Sequence, residues 1–177
     1  LAMMRSVLAR GRADHEKSVA YGEEAVRLAP PEELEIAGTA WTMLGAARAG
    51  AGDYEGAIET YLCGIKLAYR AGNLVGAYVF TYGRAMYLIV QGRLNEAEDA
   101  CRSAIERGAR EGHAHLPAAG WQLVALARIE LERYRLDEAQ ACLDLGLHIA
   151  RRGGFGVLQC AGRYLGAHIT AARGDLE

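Results

Sequence analysis

Two histidines, His113 and His115, are the residues whose type and spacing come closest to metal chemistry. Imidazole nitrogens are common zinc ligands, and two of them separated by one residue in a loop could hold a metal weakly. The pair lies in the linker before Pro117, and no cluster of cysteines or carboxylates stands beside it in the sequence. We therefore expect a solvated loop here rather than a metal centre.

Phosphate binding and nucleophilic catalysis lack candidates in the sequence. The glycine-rich stretches GAGDYEG (50–56) and RGGFG (152–156) follow no predicted strand, and the chain contains no G-x-x-x-x-G-K-[ST] loop. They fit helix ends and turns better than a phosphate loop. Ser6, Ser18 and Ser103 have no plausible base nearby in the sequence. The sequence thus predicts a protein that holds no cofactor and is not an enzyme.

The four cysteines, Cys63, Cys101, Cys142 and Cys160, show no C-x-x-C spacing. That spacing is the usual mark of a zinc or redox site. We expect them to be reduced, small, buried residues of a cytoplasmic protein, and a disulfide framework or a metal site is the weaker alternative.

Composition and charge exclude several classes of protein. The 177 residues are 51% hydrophobic and 24% charged, with a formal net charge of -2, which argues against nucleic-acid contact by this chain. The longest stretch without Lys, Arg, Asp or Glu, 112–127, contains two histidines and a proline, so no membrane span is predicted. The chain begins at Leu1 rather than Met and ends in GDLE, so we expect a fragment of a longer chain.

Short turn signals recur along the chain at intervals of 40, 42 and 40 residues. They begin at Gly52, Gly92, Tyr134 and Gly174. An apolar pattern of helical period precedes each of them, and another follows each of the first three. A fixed period of this length is the sequence mark of stacked helical repeats.

Small residues recur on one face of the second helix of each repeat. Ala57, Ala97 and Ala139 open these helices, and further core positions follow at offsets of 4, 7, 8 and 11. These offsets share one helix face, where small residues let two helix backbones approach closely. We therefore predict an all-α protein, a right-handed α-solenoid of helical hairpins with about 40 residues per repeat. It would be a single superhelical domain over 1–177, with hairpins at 1–31, 35–72, 74–112 and 117–153 and a half-repeat at 155–177.

The second repeat resembles the tetratricopeptide pattern most closely. Trp41, Leu44 and Gly45 in its first helix, followed by Ala57 and Tyr61 in its second, match the W-x2-L-G and A-x3-aromatic register of that repeat. The match weakens along the chain, where alanines replace the glycine. The period also exceeds the usual 34 residues, and about one extra turn per helix would absorb the difference.

The segment 72–154 is similar to the helical repeat region of MalT-like, ATP-dependent bacterial transcription regulators of the LuxR type. The stretches that carry the resemblance are GNLVGAYVFTYGRAMYLIVQGRLNEAEDACRSAIERG and PAAGWQLVALARIELERYRLDEAQACLDLGLHIARRGG. The resemblance implies a non-catalytic sensor or protein-interaction module that binds a small-molecule inducer, a protein or a peptide. It also implies that nucleotide binding and DNA binding belong to other segments, and this chain has no evident helix-turn-helix.

In a stack of such hairpins the first helices line a concave face, and helical phase selects the residues that point into it. The six candidates for a ligand or partner groove are Tyr82, Met86, Trp121, Arg128, Tyr164 and His168. Aromatic side chains beside a cation are typical of binding surfaces. Packing between repeats is the alternative for Tyr82 and Trp121, and an ion pair with Glu132 is the alternative for Arg128. In the second repeat the same phase gives small residues such as Thr42.

The last predicted helix has an apolar face that no following helix covers. Val157, Leu158, Leu165 and Ile169 form this face. A second copy of the chain that covers it would give a homodimer.

Two other functions compete with the regulator module. A stand-alone repeat scaffold, or a co-chaperone-type adaptor that binds a peptide, has the same fold in a different biological setting. An α-helical enzyme is the weaker of the two, because it needs converging carboxylates or metal ligands on the concave face and the sequence offers only His168 and Arg128 there.

Overall fold

The structure, a computed structural model, describes residues 1–30, 32–113 and 116–174. Over these residues the chain forms nine α-helices, two short 3-10 turns and no strand. The helices are α1 (Ala2–Gly11), α2 (His15–Leu28), α3 (Leu34–Gly50), α4 (Tyr54–Arg70), α5 (Leu74–Val90), α6 (Leu94–Arg110), α7 (Gly120–Glu132), α8 (Leu136–Ala150) and α9 (Gly156–Arg173). The predicted all-α class is confirmed. None of the helices in the described ranges has both the length and the apolar run that a membrane span needs.

The helices fall into two compact units. The first unit, Leu1–Gln91, contains α1 to α5, and each of these helices packs on the next one along the chain. The second unit, Gly92–Glu177, contains α6 to α9, which pack in the same consecutive way. Neighbour-on-neighbour packing through short connections is the arrangement of helical hairpins. The two helices of the predicted third hairpin, α5 and α6, begin and end at the residues that the apolar pattern predicts.

Each turn that follows the first helix of a hairpin contains one residue in the left-handed region of the backbone. These residues are Ala13, Gly52, Gly92, Tyr134 and Gly174, with φ between 57° and 83°. Glycine reaches this region without strain, whereas a Cβ atom disfavours it. The predicted turn signals at Gly52 and Tyr134 therefore mark real changes of chain direction, because α4 packs back on α3 and α8 on α7.

Side-chain caps fix where several helices begin. Asp53 accepts a hydrogen bond from the Gly56 N–H at 2.8 Å at the start of α4, and Asn73 does the same for Gly76 at the start of α5. A cap satisfies a backbone donor that has no partner inside the helix. The side chains of Asp53 and Asn73 therefore determine where α4 and α5 begin.

Small residues bring the helices together as predicted. Ala57, Ala97 and Ala139 are each 0% exposed. A Cβ atom added at Gly45 would lie 2.5 Å from Cε2 of Tyr61, so α3 and α4 meet without room for a side chain there. The large side chain fills the space that the small one leaves, which is how helix surfaces reach native packing density.

The expected burial of the cysteines is only partly correct. Cys101 is buried and Cys142 is half-buried, but Cys63 and Cys160 are exposed, and all four are free thiols. In α4 the buried positions include Tyr61 and Gly64, and Cys63 falls outside that phase. Cys160 likewise falls outside the buried face of α9.

Candidate binding site

A cleft of ≈ 650 Å³ lies between α3 and α5 in the first unit. Its lining comes from the first half or so of both helices and from the residue that caps α5. The lining residues are Leu34, Glu35, Gly38, Thr39, Thr42, Met43, Asn73, Val75, Gly76, Val79 and Phe80.

Small residues on both walls leave the space that forms the cleft. A Cβ atom added at Gly38 would meet only the ring of Phe80, at 3.9 Å, so the wall is open at that point. Phe80 is 4% exposed and forms the floor. Its ring packs against that of Tyr61 with centroids 6.3 Å apart, which anchors the floor in the core of the unit.

Tyr61 also ties α4 to α3 behind the cleft. Its hydroxyl donates to the backbone carbonyl of Thr42 at 3.4 Å. Burial raises the pKa of Tyr61 well above its usual value, because the charged phenolate loses its hydration there. The phenol therefore stays protonated and keeps its role as a donor.

The side chains of the cleft offer mainly hydrogen-bond acceptors. Thr39 donates its hydroxyl proton to the Glu35 carbonyl at 2.7 Å, and Thr42 donates to the Gly38 carbonyl at 2.9 Å. Each hydroxyl oxygen thus retains lone pairs but no free proton. Within the described ranges, the exposed Glu35 carboxylate has no ion-pair partner. The cleft therefore combines apolar walls with acceptor groups.

The candidates predicted on α5 lie further along the same helix. Tyr82 and Met86 are half-buried and share the helical phase of Val75 and Val79. They do not line the cleft, which ends nearer the start of α5. A binding role for these two residues stays a prediction.

Trp121 belongs to the core of the second unit. It is 8% exposed, and its ring meets that of Phe155 edge-on with centroids 5.9 Å apart. These contacts agree with the alternative prediction for Trp121, which was packing between repeats. The burial leaves little of the indole for a ligand to contact.

Arg128 forms the ion pair with Glu132 that the sequence offered as the alternative to a binding role. Its Nε donates to Oε1 of Glu132 at 2.8 Å, one turn further along α7. The side chain is still about one-third exposed, and exposed pairs of this spacing contribute only about 0.3–0.5 kcal/mol. The guanidinium therefore remains accessible to a ligand.

Tyr164 and His168 form an exposed pair on α9. Their rings meet edge-on with centroids 4.4 Å apart, and Tyr164 is 64% exposed. This contact follows from their spacing of four residues. Both residues remain candidates for contact with a partner.

The expectation that the apolar face of α9 is uncovered is wrong for three of its four residues. Leu158, Leu165 and Ile169 are buried, because α8 packs along this face. Val157 alone of the four is exposed, at 75%. The surface proposed for a second copy is therefore much smaller than the sequence indicates.

A network of charged residues in the second unit was not predicted. The Arg133 guanidinium donates to Glu98 at 2.6 Å and lies 3.4 Å from Glu130, and Arg135 lies 3.3 Å from the other oxygen of Glu130. Arg102 donates to Glu98 at 2.7 Å. Hydrogen bonds from Arg133 and Arg102 hold the pKa of Glu98 below its usual value. The Glu98–Arg102 and Glu130–Arg133 spacings are local in the sequence. The Glu98–Arg133 contact joins α6 to the end of α7 and was not visible there.

A second cleft of ≈ 500 Å³ borders this network, but its charges are already matched. It is lined by Gly92, Arg93, Leu94, Asn95, Glu96 and Arg133. Arg93 pairs with Glu96 at 2.7 Å, and Arg133 is held by Glu98. Paired cations bind an added anion poorly, so a structural role fits this region better than a ligand site.

The structure gives no support to metal chemistry in the residues it describes. Among them no three His, Cys, Asp or Glu side chains come together as a metal site. His113 is exposed, and His115 lies outside the described residues. The α3–α5 cleft is accordingly the best candidate for a functional site.

Comparison with known proteins places the chain among helical repeats. The family described as the MalT-like TPR region matches residues 1–177, and no curated protein sequence matches the chain. The apo form of RapI is similar over 86% of this chain, with a TM-score of 0.65 and 14% identity, and the chain spans 55% of the length of RapI. BtubC from P. vanneervenii is similar over 96% of this chain and 70% of its own, with a TM-score of 0.66 and 19% identity. At such low sequence identity, the structural similarity shows a shared tetratricopeptide-like fold and nothing more.

Proposed function

The chain belongs to the family described as the MalT-like TPR region, and we propose that it is the sensor and interaction part of a LuxR-type transcription regulator. In that role it binds an inducer or a partner protein and works in the cytoplasm of a bacterium. Nucleotide binding and DNA binding are assigned to other parts of the regulator. A general role in protein interaction is what the family and the fold support most directly.

The α3–α5 cleft is the observation that carries the proposal. Ligand pockets of small molecules have volumes of roughly 300–1,000 Å³ and combine apolar walls with a few polar groups. The cleft has ≈ 650 Å³, an aromatic floor at Phe80 and polar groups at Glu35 and Thr39. It lies on first helices of hairpins, where the sequence predicts the concave binding face.

A thermal-shift screen tests this function. A panel of sugars, amino acids and nucleotides supplies the candidate inducers. Selection from a phage-displayed library of random dodecapeptides supplies candidate partner peptides, which are then measured in the same thermal-shift assay. A ligand at a hundred times its Kd stabilises the folded state by about 2.7 kcal/mol, which raises the Tm by several degrees. If neither the panel nor the library yields a ligand, the proposed function is wrong.

Two leucine variants show whether a ligand found in this way occupies the cleft. Gly38→Leu places a side chain in the cleft, since a Cβ atom fits there without a clash. Gly156→Leu is the matched control, because Gly156 opens α9 with nothing within 4 Å of an added Cβ. We expect the first variant to abolish the Tm rise and the control to retain it. An equal rise in Tm in both variants would show that the ligand binds outside the cleft.

The predicted groove residues outside the cleft form a second part of the proposal. Arg128, Tyr164 and His168 are accessible side chains of the second unit, whereas truncation of Trp121 would mainly leave a cavity. For a ligand that still binds Gly38→Leu, calorimetry with Arg128→Ala and Tyr164→Ala should show weaker binding if the second unit carries a binding surface of its own. Wild-type affinity in both variants would remove them from the site.

A stand-alone scaffold or peptide-binding adaptor is the alternative function. The acceptor groups of Thr39 and Thr42 suit the N–H groups of an extended peptide. Ligands found only in the peptide library, with none in the small-molecule panel, would favour a peptide-binding role, in the regulator or in an adaptor, over an inducer sensor.

A further inference from the structure

We propose that the α3–α5 cleft selects basic peptide segments of a partner protein, in which a Lys or Arg stands next to an aliphatic residue. The proposal rests on the binding function assigned above and specifies the ligand class of that site. Three features of the cleft lead to it: its apolar walls, the shortage of free donors among its side chains, and the carboxylate of Glu35, which has no ion-pair partner among the described residues.

The apolar part of the cleft fits an aliphatic side chain. Leu34 and Met43 from α3 face Val75 and Val79 from α5, with the ring of Phe80 below them. The exposed side chain of Val75 and the absence of a side chain at Gly38 keep this surface open. Burial of an aliphatic side chain between such walls is favourable in proportion to the apolar area removed from water.

The polar side chains of the cleft favour a ligand that donates. The Thr39 and Thr42 hydroxyls donate within their own helix and can only accept from a ligand. Oδ1 of Asn73 is engaged by the Gly76 N–H, so its amide nitrogen is the donor that the lining side chains retain. A carboxylate ligand would meet mostly acceptors, whereas an ammonium or guanidinium group presents three to five donors.

The electrostatics of the cleft favour a cation. Glu35 is the acidic side chain of the lining, no Lys or Arg is among the lining residues, and Glu33 stands two residues before Glu35. The starts of α3 and α5 border the cleft, and each carries about half a positive charge. Two carboxylates outweigh two such half-charges, so the net field at this end of the cleft attracts a positive group.

Selection from a phage-displayed library of random dodecapeptides tests the proposal. Peptides selected on the wild-type protein should be enriched in Lys or Arg beside Leu, Ile or Val. Selection on Glu35→Lys should replace the basic residues by acidic ones, because the variant reverses the charge of the lining. Selection on Glu59→Gln, an exposed carboxylate of α4 outside the lining, should give the wild-type result.

The affinity of a selected basic peptide gives the quantitative test. By fluorescence polarisation we expect Glu35→Gln to weaken it about tenfold, as the loss of a charge-assisted hydrogen bond implies, and Glu59→Gln to leave it unchanged. Circular dichroism confirms that the variants are folded. Peptides without a basic preference, or equal affinity for wild type and Glu35→Gln, would overturn the ligand class while the binding function stands. A library and a small-molecule panel that both yield nothing would overturn the function as well.

Discussion

Ala13 and Tyr134 adopt the left-handed backbone conformation that glycine adopts in the other turns within hairpins. Their φ values are 57° and 59°. Tyr134 gains a compensating contact, because its hydroxyl donates to the Ala172 carbonyl at 3.0 Å. Ala13 has only a methyl group and makes no such bond, so its turn retains the strain of a Cβ atom in this region.

Replacement of Ala13 by glycine should therefore stabilise the protein. We expect Ala13→Gly to raise the free energy of unfolding by about 1 kcal/mol, since relief of left-handed strain exceeds the added entropy of the unfolded chain. Gly52→Ala is the reciprocal control, because an added Cβ there has nothing within 4 Å and adds only strain. Urea denaturation measures both. Destabilisation by Ala13→Gly would mean that its turn is not strained.

At the residue scale the sequence predicts turns well where glycine marks them. Gly52, Gly92 and Gly174 were found in this way, and Tyr134 was found from its spacing to them. The left-handed conformation of Ala13 was not predicted, because an alanine carries no signal for it. It follows only from the direction in which α2 must return along α1.

Gly38 and Gly45 lie in the same helix, but glycine serves a different structural purpose at each position. Both lie in α3, two turns apart. A Cβ atom at Gly45 would stand 2.5 Å from the ring of Tyr61, which is itself buried. A Cβ atom at Gly38 would stand 3.9 Å from Phe80, which is an ordinary contact. The first glycine permits helix contact, and the second leaves the cleft open.

The two glycines should respond to alanine in opposite directions. We expect Gly45→Ala to destabilise the first unit by about 1–3 kcal/mol through overpacking against Tyr61. Gly38→Ala should stabilise it by about 0.5–1 kcal/mol, because alanine has the higher helix propensity. Thermal or urea unfolding of both variants checks this contrast. Equal effects would show that Tyr61 moves aside and that the close contact is not limiting.

At the element scale the sequence predicts on which face of a helix a residue lies, but not how deeply that residue is buried. Thr42, which helical phase assigns to the predicted concave face, lines the α3–α5 cleft. Helical phase did not predict a cleft there, because the cleft arises where side chains are small or absent, and a search for aromatic and charged side chains does not find such a place. Trp121 has the expected phase on α7, yet it is covered by Phe155 from the connection before α9. Such coverage depends on how a loop folds, which periodicity does not specify.

The stability of the molecule should depend on pH through Glu98. Its pKa is held below the usual value by Arg133 and Arg102. A carboxyl group whose pKa falls on folding stabilises the folded state above its unfolded pKa, about 4.3. That contribution is lost as the pH falls through the lowered, folded value. Glu130, Arg135 and the two arginines above are the charged groups of the same network.

Replacement of Glu98 by glutamine tests this dependence. At neutral pH we expect Glu98→Gln to lower the free energy of unfolding by about 1–3 kcal/mol, because two arginines lose a charged acceptor. The difference from wild type should shrink as the pH falls below about 4. Glu106→Gln, at an exposed position two turns further along α6, is the control and should show neither effect. A difference that does not change with pH would assign the loss to packing instead of charge.

Self-association of the whole molecule through α9 should be weak. Of the predicted apolar face only Val157 is exposed, and Tyr164 is the other large hydrophobic side chain exposed on this helix. A stable dimer buries roughly 800 Å² on each partner, which two side chains do not supply. We therefore expect sedimentation velocity to show a monomer at micromolar concentration, with any dimer appearing only near millimolar and disappearing in Tyr164→Lys. A micromolar dimer that Tyr164→Lys abolishes would restore α9 as the main contact between copies, and one that survives this variant would place the contact on another surface.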